Sequence, residues 1–94
     1  MARRQLCVIY VEFASQKEAE ERLGDLAWES GPDTVVQGAD RDTNSQGELL
    51  NPKALKLTVA TENSAHTPSR ETVAALAKKI GALRITSEHR QIYP

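Results

Sequence analysis

The order of strand-like and helix-like segments constrains this chain more than any other feature. Three runs rich in strand-forming residues, at positions 5–13, 55–61 and 83–86, are separated by two runs whose apolar residues recur at helical spacing. A shorter apolar run at 34–37 predicts a further strand after the first helix. The order strand, helix, strand, strand, helix, strand belongs to the mixed α and β folds.

The first helix is predicted over residues 16–30. Ser15 followed by Glu18 forms a capping box, and apolar residues then recur on one face of the helix. Gly31 and Pro32 predict its end, because glycine accepts a left-handed cap and proline cannot continue a helix.

The second helix is predicted to follow Thr67 as its N-cap, with Pro68 at the first helical position. Its apolar residues recur at helical spacing as far as Ile80, and Gly81 then predicts the stop. Between the two helices, residues 40–47 have the polar composition of turns, which predicts a mobile hairpin loop.

These elements predict a ferredoxin-like α+β fold. Two strand pairs are joined through helices and one pair through a hairpin, which gives a split β-α-β arrangement. We expect a four-stranded antiparallel sheet with two helices on one face. Residues 6–11 form a continuous apolar run, so the first strand is expected at the centre of the sheet. All 94 residues are expected to form one domain around one core.

Composition limits the classes of partner and the compartment. The net charge of −1 gives little support to a strongly basic nucleic-acid-binding protein. Cys7 is the single cysteine and lies within an apolar run, which excludes an intrachain disulfide framework and predicts a reducing, cytoplasmic location. No apolar run reaches the ~18 residues of a membrane span, so no membrane contact is expected. The first run breaks at Glu12, which argues against a signal peptide.

The sheet face directed away from the helices is the predicted interaction surface. If Cys7, Ile9, Val11 and Phe13 face the helices, Leu6, Val8 and Tyr10 form an apolar stripe on the opposite side. Alternation directs a second set of residues inward, namely Leu55, Leu57, Val59, Leu83 and Ile85. It directs a third set outward, around the stripe, namely Lys56, Thr58, Ala60, Arg84, Thr86 and Glu88.

An apolar centre with a charged rim is typical of a protein contact. The predicted binding residues are therefore Leu6, Val8, Tyr10, Lys56, Thr58 and Arg84. Two alternatives remain open. The long side chains of neighbouring strands, or the C-terminal tail, can shield the first strand. A shift of one residue in register would also exchange its two faces.

Nucleic-acid binding is the second functional hypothesis. RNA-recognition domains share this topology and stack bases on aromatic residues of the two central strands. Tyr10 can supply one ring, but the strand at 55–61 directs no aromatic residue outward, and aromatic residues make up 4% of the chain. Basic residues can still contact a phosphate backbone, namely Arg3, Arg4, Lys56, Arg84 and Arg90.

The sequence gives little support to an enzyme, a metal site or a cofactor. Glu12 ends the first strand, where a metal-dependent nuclease would need a carboxylate, but no second acidic residue is placed beside it by the sequence. His66 and His89 lie far apart along the chain, which is not a metal-binding spacing. Trp28 is expected at the border of the core. We therefore expect a small non-enzymatic regulatory protein that forms a homodimer or docks a protein partner through its sheet face.

Overall fold

A computed structural model describes residues 4–26, 30–31, 34–61 and 68–93 of the chain. The elements in chain order are β1 (Arg4–Glu12), α1 (Gln16–Leu23), β2 (Ser30–Gly31), β3 (Thr34–Arg41), β4 (Ala54–Ala60), α2 (Arg70–Lys79) and β5 (Arg84–Tyr93). Every strand pairs antiparallel with its neighbours in one sheet of order β2-β3-β4-β1-β5.

The long strands and the helices have the βαββαβ topology of a ferredoxin-like α+β fold, as the sequence predicts. β1 lies between β4 and β5 and is therefore central, which is also as predicted. β2 is an addition that the sequence pattern did not indicate. Its two residues pair with Thr34 and Val35 at the outer end of β3.

The core lies between the sheet and both helices. Ala19 of α1 and Leu76 of α2 belong to the same cluster of buried residues as the inward side chains of the central strands. Those inward side chains have no exposed surface, and they are Cys7, Ile9, Val11, Leu55, Leu57 and Val59. The alternation predicted for β4 is confirmed, and it settles which face of β1 is directed to the helices.

α1 begins as predicted but ends earlier. Ser15 caps it, since its side chain accepts a hydrogen bond from the Glu18 backbone at 3.1 Å. The helix ends at Leu23 rather than at residue 30, and Gly24 is its C-cap. Glycine costs roughly 1 kcal/mol in a helix interior, which favours ending the helix there. Trp28, predicted to border the core, lies outside the described residues.

α2 begins at Arg70, with Ser69 as its N-cap. The Ser69 hydroxyl accepts a hydrogen bond from the Thr72 backbone at 3.2 Å. Pro68 therefore precedes the cap instead of occupying the first helical position, and the predicted cap Thr67 lies outside the described residues. Thr67 and Ser69 are both favoured N-cap residues, so the sequence alone does not decide which of them caps the helix.

Gly81 ends α2, as predicted, through a Schellman motif. The backbone N–H of Ala82 donates to the Ala77 carbonyl at 3.0 Å, and that of Gly81 donates to the Lys78 carbonyl at 3.1 Å. Gly81 has a φ of 86°, a left-handed conformation that glycine adopts without steric cost.

β3 runs to Arg41 and is longer than the predicted strand at 34–37. The predicted hairpin is present, but Asp40 belongs to the strand, and the turn is formed by residues 44–47. The Asn44 side-chain oxygen accepts hydrogen bonds from the backbone N–H groups of Gln46 and Glu48, and Gly47 has a φ of 82°. The mobility of this loop stays a prediction.

β5 is also longer than predicted, and a bulge changes the direction of its side chains. Tyr10 lies opposite Ser87 and Val11 opposite Ile85, so Thr86 has no direct partner in β1. The extra residue reverses the alternation along the rest of the strand. Glu88, predicted to face outward, lies opposite the inward residue Ile9 and is therefore on the helix face.

Leu83 was predicted to face inward, and this is wrong. It precedes β5 and is 67% exposed, because the alternation of a strand does not extend to the bend that leads into it. Ile85 packs against the core as predicted. In the described part of the chain, neither helix has the length and apolar character needed to cross a membrane.

Candidate interaction surface

We call the sheet surface opposite the helices the outer face. Cross-strand pairing defines its members, because directly opposed residues project to the same side of an antiparallel sheet. They are Leu6, Val8, Tyr10, Glu12, Val35, Asp40, Lys56, Thr58, Ala60, Arg84, Ser87 and His89. All six predicted binding residues lie in this set.

The apolar stripe of the outer face is less open than the sequence suggests. Leu6 and Tyr10 are half-buried, Val8 is 9% exposed, and Ala60, opposite Leu6, is fully buried. The Tyr10 ring meets the His89 ring edge to face, with the centroids 6.2 Å apart. The centre of the stripe at Val8 is therefore shielded within the chain, whereas its two ends, Leu6 and Tyr10, are more exposed.

The rim of the outer face carries charges of both signs. Asp40 on β3 lies directly opposite Lys56 on β4, and both are exposed. At the end of β1, Glu12 forms an ion pair with Arg84 of β5, with 3.0 Å between the carboxylate oxygen and the guanidinium nitrogen. The surface is thus neither strongly acidic nor strongly basic.

The carboxylate of Glu12 is hydrogen-bonded by side chains from two other segments of the chain. Its Oε2 atom accepts a hydrogen bond from the Asn51 side-chain amide at 3.0 Å, and its Oε1 atom accepts one from Arg84 Nε at 3.1 Å. The Asn51 hydrogen bond and the positive charge of Arg84 lower the pKa of Glu12 from its ordinary value of 4.5. Both carboxylate oxygens therefore have protein donors, which gives the residue a structural role.

The metal-site hypothesis for Glu12 gains no support from its surroundings. Among the described residues, no three histidine, cysteine, aspartate or glutamate side chains are grouped as metal ligands. The oxygens that a metal would need accept hydrogen bonds from Asn51 and Arg84 instead.

Three of the basic residues proposed to contact nucleic acid have described side chains, and these three do not form a continuous patch. Arg84 is paired with Glu12. Arg90 lies on the helix face, where it donates to the Pro68 carbonyl and to Glu88. Lys56 remains on the outer face, opposite an aspartate. Arg3 lies outside the described residues, and the side chain of Arg4 is not described.

Cys7 is buried in the core, as predicted. Its thiol lies 3.7 Å from Glu88 Oε1, to which it donates a weak hydrogen bond. Burial, followed by the negative charge of Glu88, raises the pKa of Cys7 to about 11. A thiol with such a pKa carries little thiolate near neutrality, so it is a poor nucleophile and a poor metal ligand.

Sequence patterns alone did not predict the contact of Asn51 with Glu12 or that of Glu88 with Cys7. The first contact depends on how the hairpin folds back, and the second depends on the bulge at Thr86.

Comparisons of the chain with models of protein families, with curated proteins and with solved structures find no match. The function is therefore proposed from the geometry of the outer face.

Proposed function

We propose that this protein is a non-enzymatic interaction protein that forms a homodimer by packing its outer face against that of a second copy. The placement of the helices carries the proposal. Both described helices pack on the helix face of the sheet, and the apolar side chains of Leu6, Val8 and Tyr10 lie on the outer face. An antiparallel sheet can leave such a face to water or cover it with another layer.

The charges at the rim favour a second copy of this chain as the occupant. Asp40 and Glu12 are acidic, whereas Lys56 and Arg84 are basic, and all four lie around the same apolar centre. A two-fold axis presents the same patch from both sides, so a surface with both signs can match itself. Two sheets packed in this way lie about 10 Å apart, with their apolar side chains interdigitated.

The size of the chain also supports an oligomer. A domain of 94 residues buries about two thirds of the surface that it exposes when unfolded, which leaves a modest stability margin. Association with a second copy adds buried apolar surface and stabilises the folded chain by mass action. A cytoplasmic location is proposed with it, and the buried single thiol of Cys7 supports that location.

Sedimentation of two matched variants tests the proposal. Leu6→Glu places a charge on the outer face, whereas Leu50→Glu makes the same change in the hairpin loop, where Leu50 is 63% exposed. We expect Leu6→Glu to weaken dimerisation roughly 100-fold or more, because two unpaired carboxylates would be buried across the contact. Leu50→Glu should associate like the wild type.

A wild type that stays at 10.3 kDa at every concentration would exclude the homodimer. If the monomeric wild type instead binds a different protein and Leu6→Glu abolishes that binding, the face is a docking site for another chain. If Leu6→Glu and Leu50→Glu associate equally well, the outer face does not form the contact.

A further inference from the structure

Among the described residues, one edge of the sheet is left unpaired. β5 pairs with β1 along one side, and no described strand pairs with its other side. Edge strands are usually protected by a short length, by charged residues or proline, by a bulge, or by a covering helix or loop. β5 has ten residues, contains neither lysine nor proline, and has its bulge near its beginning. Its two inward charges, Glu88 and Arg90, have opposite signs, so they repel a second strand only in some registers.

We propose that β5 pairs antiparallel with β5 of a second copy, around a two-fold axis at His89, and so extends the sheet across two chains. This contact goes beyond the proposed dimer, because it uses the backbone edge of the sheet rather than the side chains of the outer face. Chains that make both contacts assemble beyond a dimer.

Charge complementarity selects the register. Glu88 and Arg90 both lie on the helix face, two residues apart, with their side chains 22% and 33% exposed. An axis at His89 places Glu88 of each chain directly opposite Arg90 of the other, which gives two pairs of opposite charge. An axis at Glu88 would oppose two glutamates, and an axis at Arg90 would oppose two arginines. Like charges directly opposite one another destabilise a sheet, so the His89 register is favoured.

The edge of β5 is accessible near the beginning of the strand. A shallow groove runs beside the strand and is lined by Arg70 of α2 and by residues 85–88. This groove leaves the edge accessible beside residues 85–88, where a second strand can approach the backbone groups that point away from β1.

Two charge-reversal variants test the register. In Glu88→Arg both positions are basic, and in Arg90→Glu both are acidic, so each variant alone opposes like charges across the axis. An equimolar mixture pairs arginine with glutamate at both positions. We expect each variant alone to associate through the edge roughly 10-fold more weakly than the wild type, and the mixture to recover wild-type association.

The measurement is sedimentation velocity in a Leu6→Glu background, which removes the outer-face contact and leaves the edge unchanged. Failure of the edge contact is thereby separated from failure of the proposed function. Circular dichroism melts establish that each variant folds, because Glu88 and Arg90 also contact Cys7 and Pro68. A mixture of folded variants that associates no better than either one alone would overturn the proposal.

Hydrogen exchange of the unmodified protein gives a second test that needs no variant. We expect amides within residues 87–93 to exchange more slowly as the protein concentration rises, because pairing protects the N–H groups at the free edge. Exchange that is independent of concentration throughout this segment would overturn the proposal, even if the variants do not fold.

Discussion

Arg84 holds Glu12 through two nitrogen atoms: Nε lies 3.1 Å and Nη2 lies 3.0 Å from the same carboxylate oxygen. The two residues are 72 positions apart in the sequence. They join the end of the central strand β1 to the beginning of the edge strand β5. Asn51 binds the second oxygen of Glu12 and so attaches the β3–β4 connection to the same point.

The first prediction concerns acid stability. Hydrogen bonding to Asn51 and the charge of Arg84 lower the pKa of Glu12, so the folded state binds this proton less readily than the unfolded state. Ionised Glu12 therefore stabilises the fold above its ordinary pKa of 4.5, and this contribution is lost as the pH falls through the lower, folded value. In Glu12→Gln, the melting temperature should fall less steeply below pH 4.5 than in the wild type.

Glu21→Gln is the matched control for the acid melts, because Glu21 is an exposed glutamate of α1. Its melting temperature should follow the wild type as the pH is lowered. The role assigned to Glu12 is wrong if Glu12→Gln and the wild type lose the same amount of stability on acidification.

The second prediction separates the core from the bend before β5. Leu76 is fully buried between α2 and the sheet, whereas Leu83 is 67% exposed. Leu76→Ala should lower the free energy of unfolding by about 2–5 kcal/mol, and Leu83→Ala should change it by no more than about 0.5 kcal/mol. Urea denaturation measures both. A comparable loss in the two variants would mean that Leu83 belongs to the core after all.

The third prediction compares two glycines at helix ends. Gly81 has a φ of 86°, whereas Gly24 has a φ of −71°, which any residue adopts. Gly81→Ala should destabilise the protein by about 1–2 kcal/mol, because an L-residue is strained in the left-handed conformation. Gly24→Ala should be neutral or stabilise the fold by up to about 1 kcal/mol, since no atom lies within 4 Å of an added Cβ.

Thermal or chemical denaturation of these two glycine variants is sufficient. The Schellman assignment at the end of α2 fails if Gly81→Ala is as stable as the wild type. It also fails if the two substitutions have the same effect.

The fourth prediction concerns the thiol. Cys7 is fully buried, and burial raises its pKa from the ordinary value of 9.0 to about 11. The native protein at pH 8 should react with a thiol reagent roughly 100-fold more slowly than the unfolded chain, because its thiolate fraction is smaller. Because the chain has a single cysteine, the reaction reports this site directly. Equal rates in native buffer and in denaturant would show that Cys7 is accessible.

Local rules predicted much of the fold because they act within a few residues. The alternation of Leu55, Leu57 and Val59 follows from the two-residue period of a strand, and Gly81 ends α2 because only glycine readily adopts its conformation. The strand alternation and the helix stop depend only on neighbouring residues, so the local sequence is enough to predict them.

Other features depend on contacts that the sequence does not localise. The bulge at Thr86 reverses the faces of the residues that follow, and a strand pattern alone gives no sign of it. Glu88 was placed on the wrong face for this reason. The outer-face position of Lys56 was predictable from alternation, whereas the Glu12–Asn51 contact spans 39 residues and is set by the hairpin.

The most direct test of the proposed homodimer is an isotope-filtered NMR experiment on a mixture of labelled and unlabelled chains, since it detects only contacts between two copies. The proposal predicts intermolecular nuclear Overhauser effects at the methyl groups of Leu6 and Val8 and at the ring of Tyr10. A spectrum with no intermolecular contacts at these three residues, recorded at a concentration where the chain is folded, would contradict it.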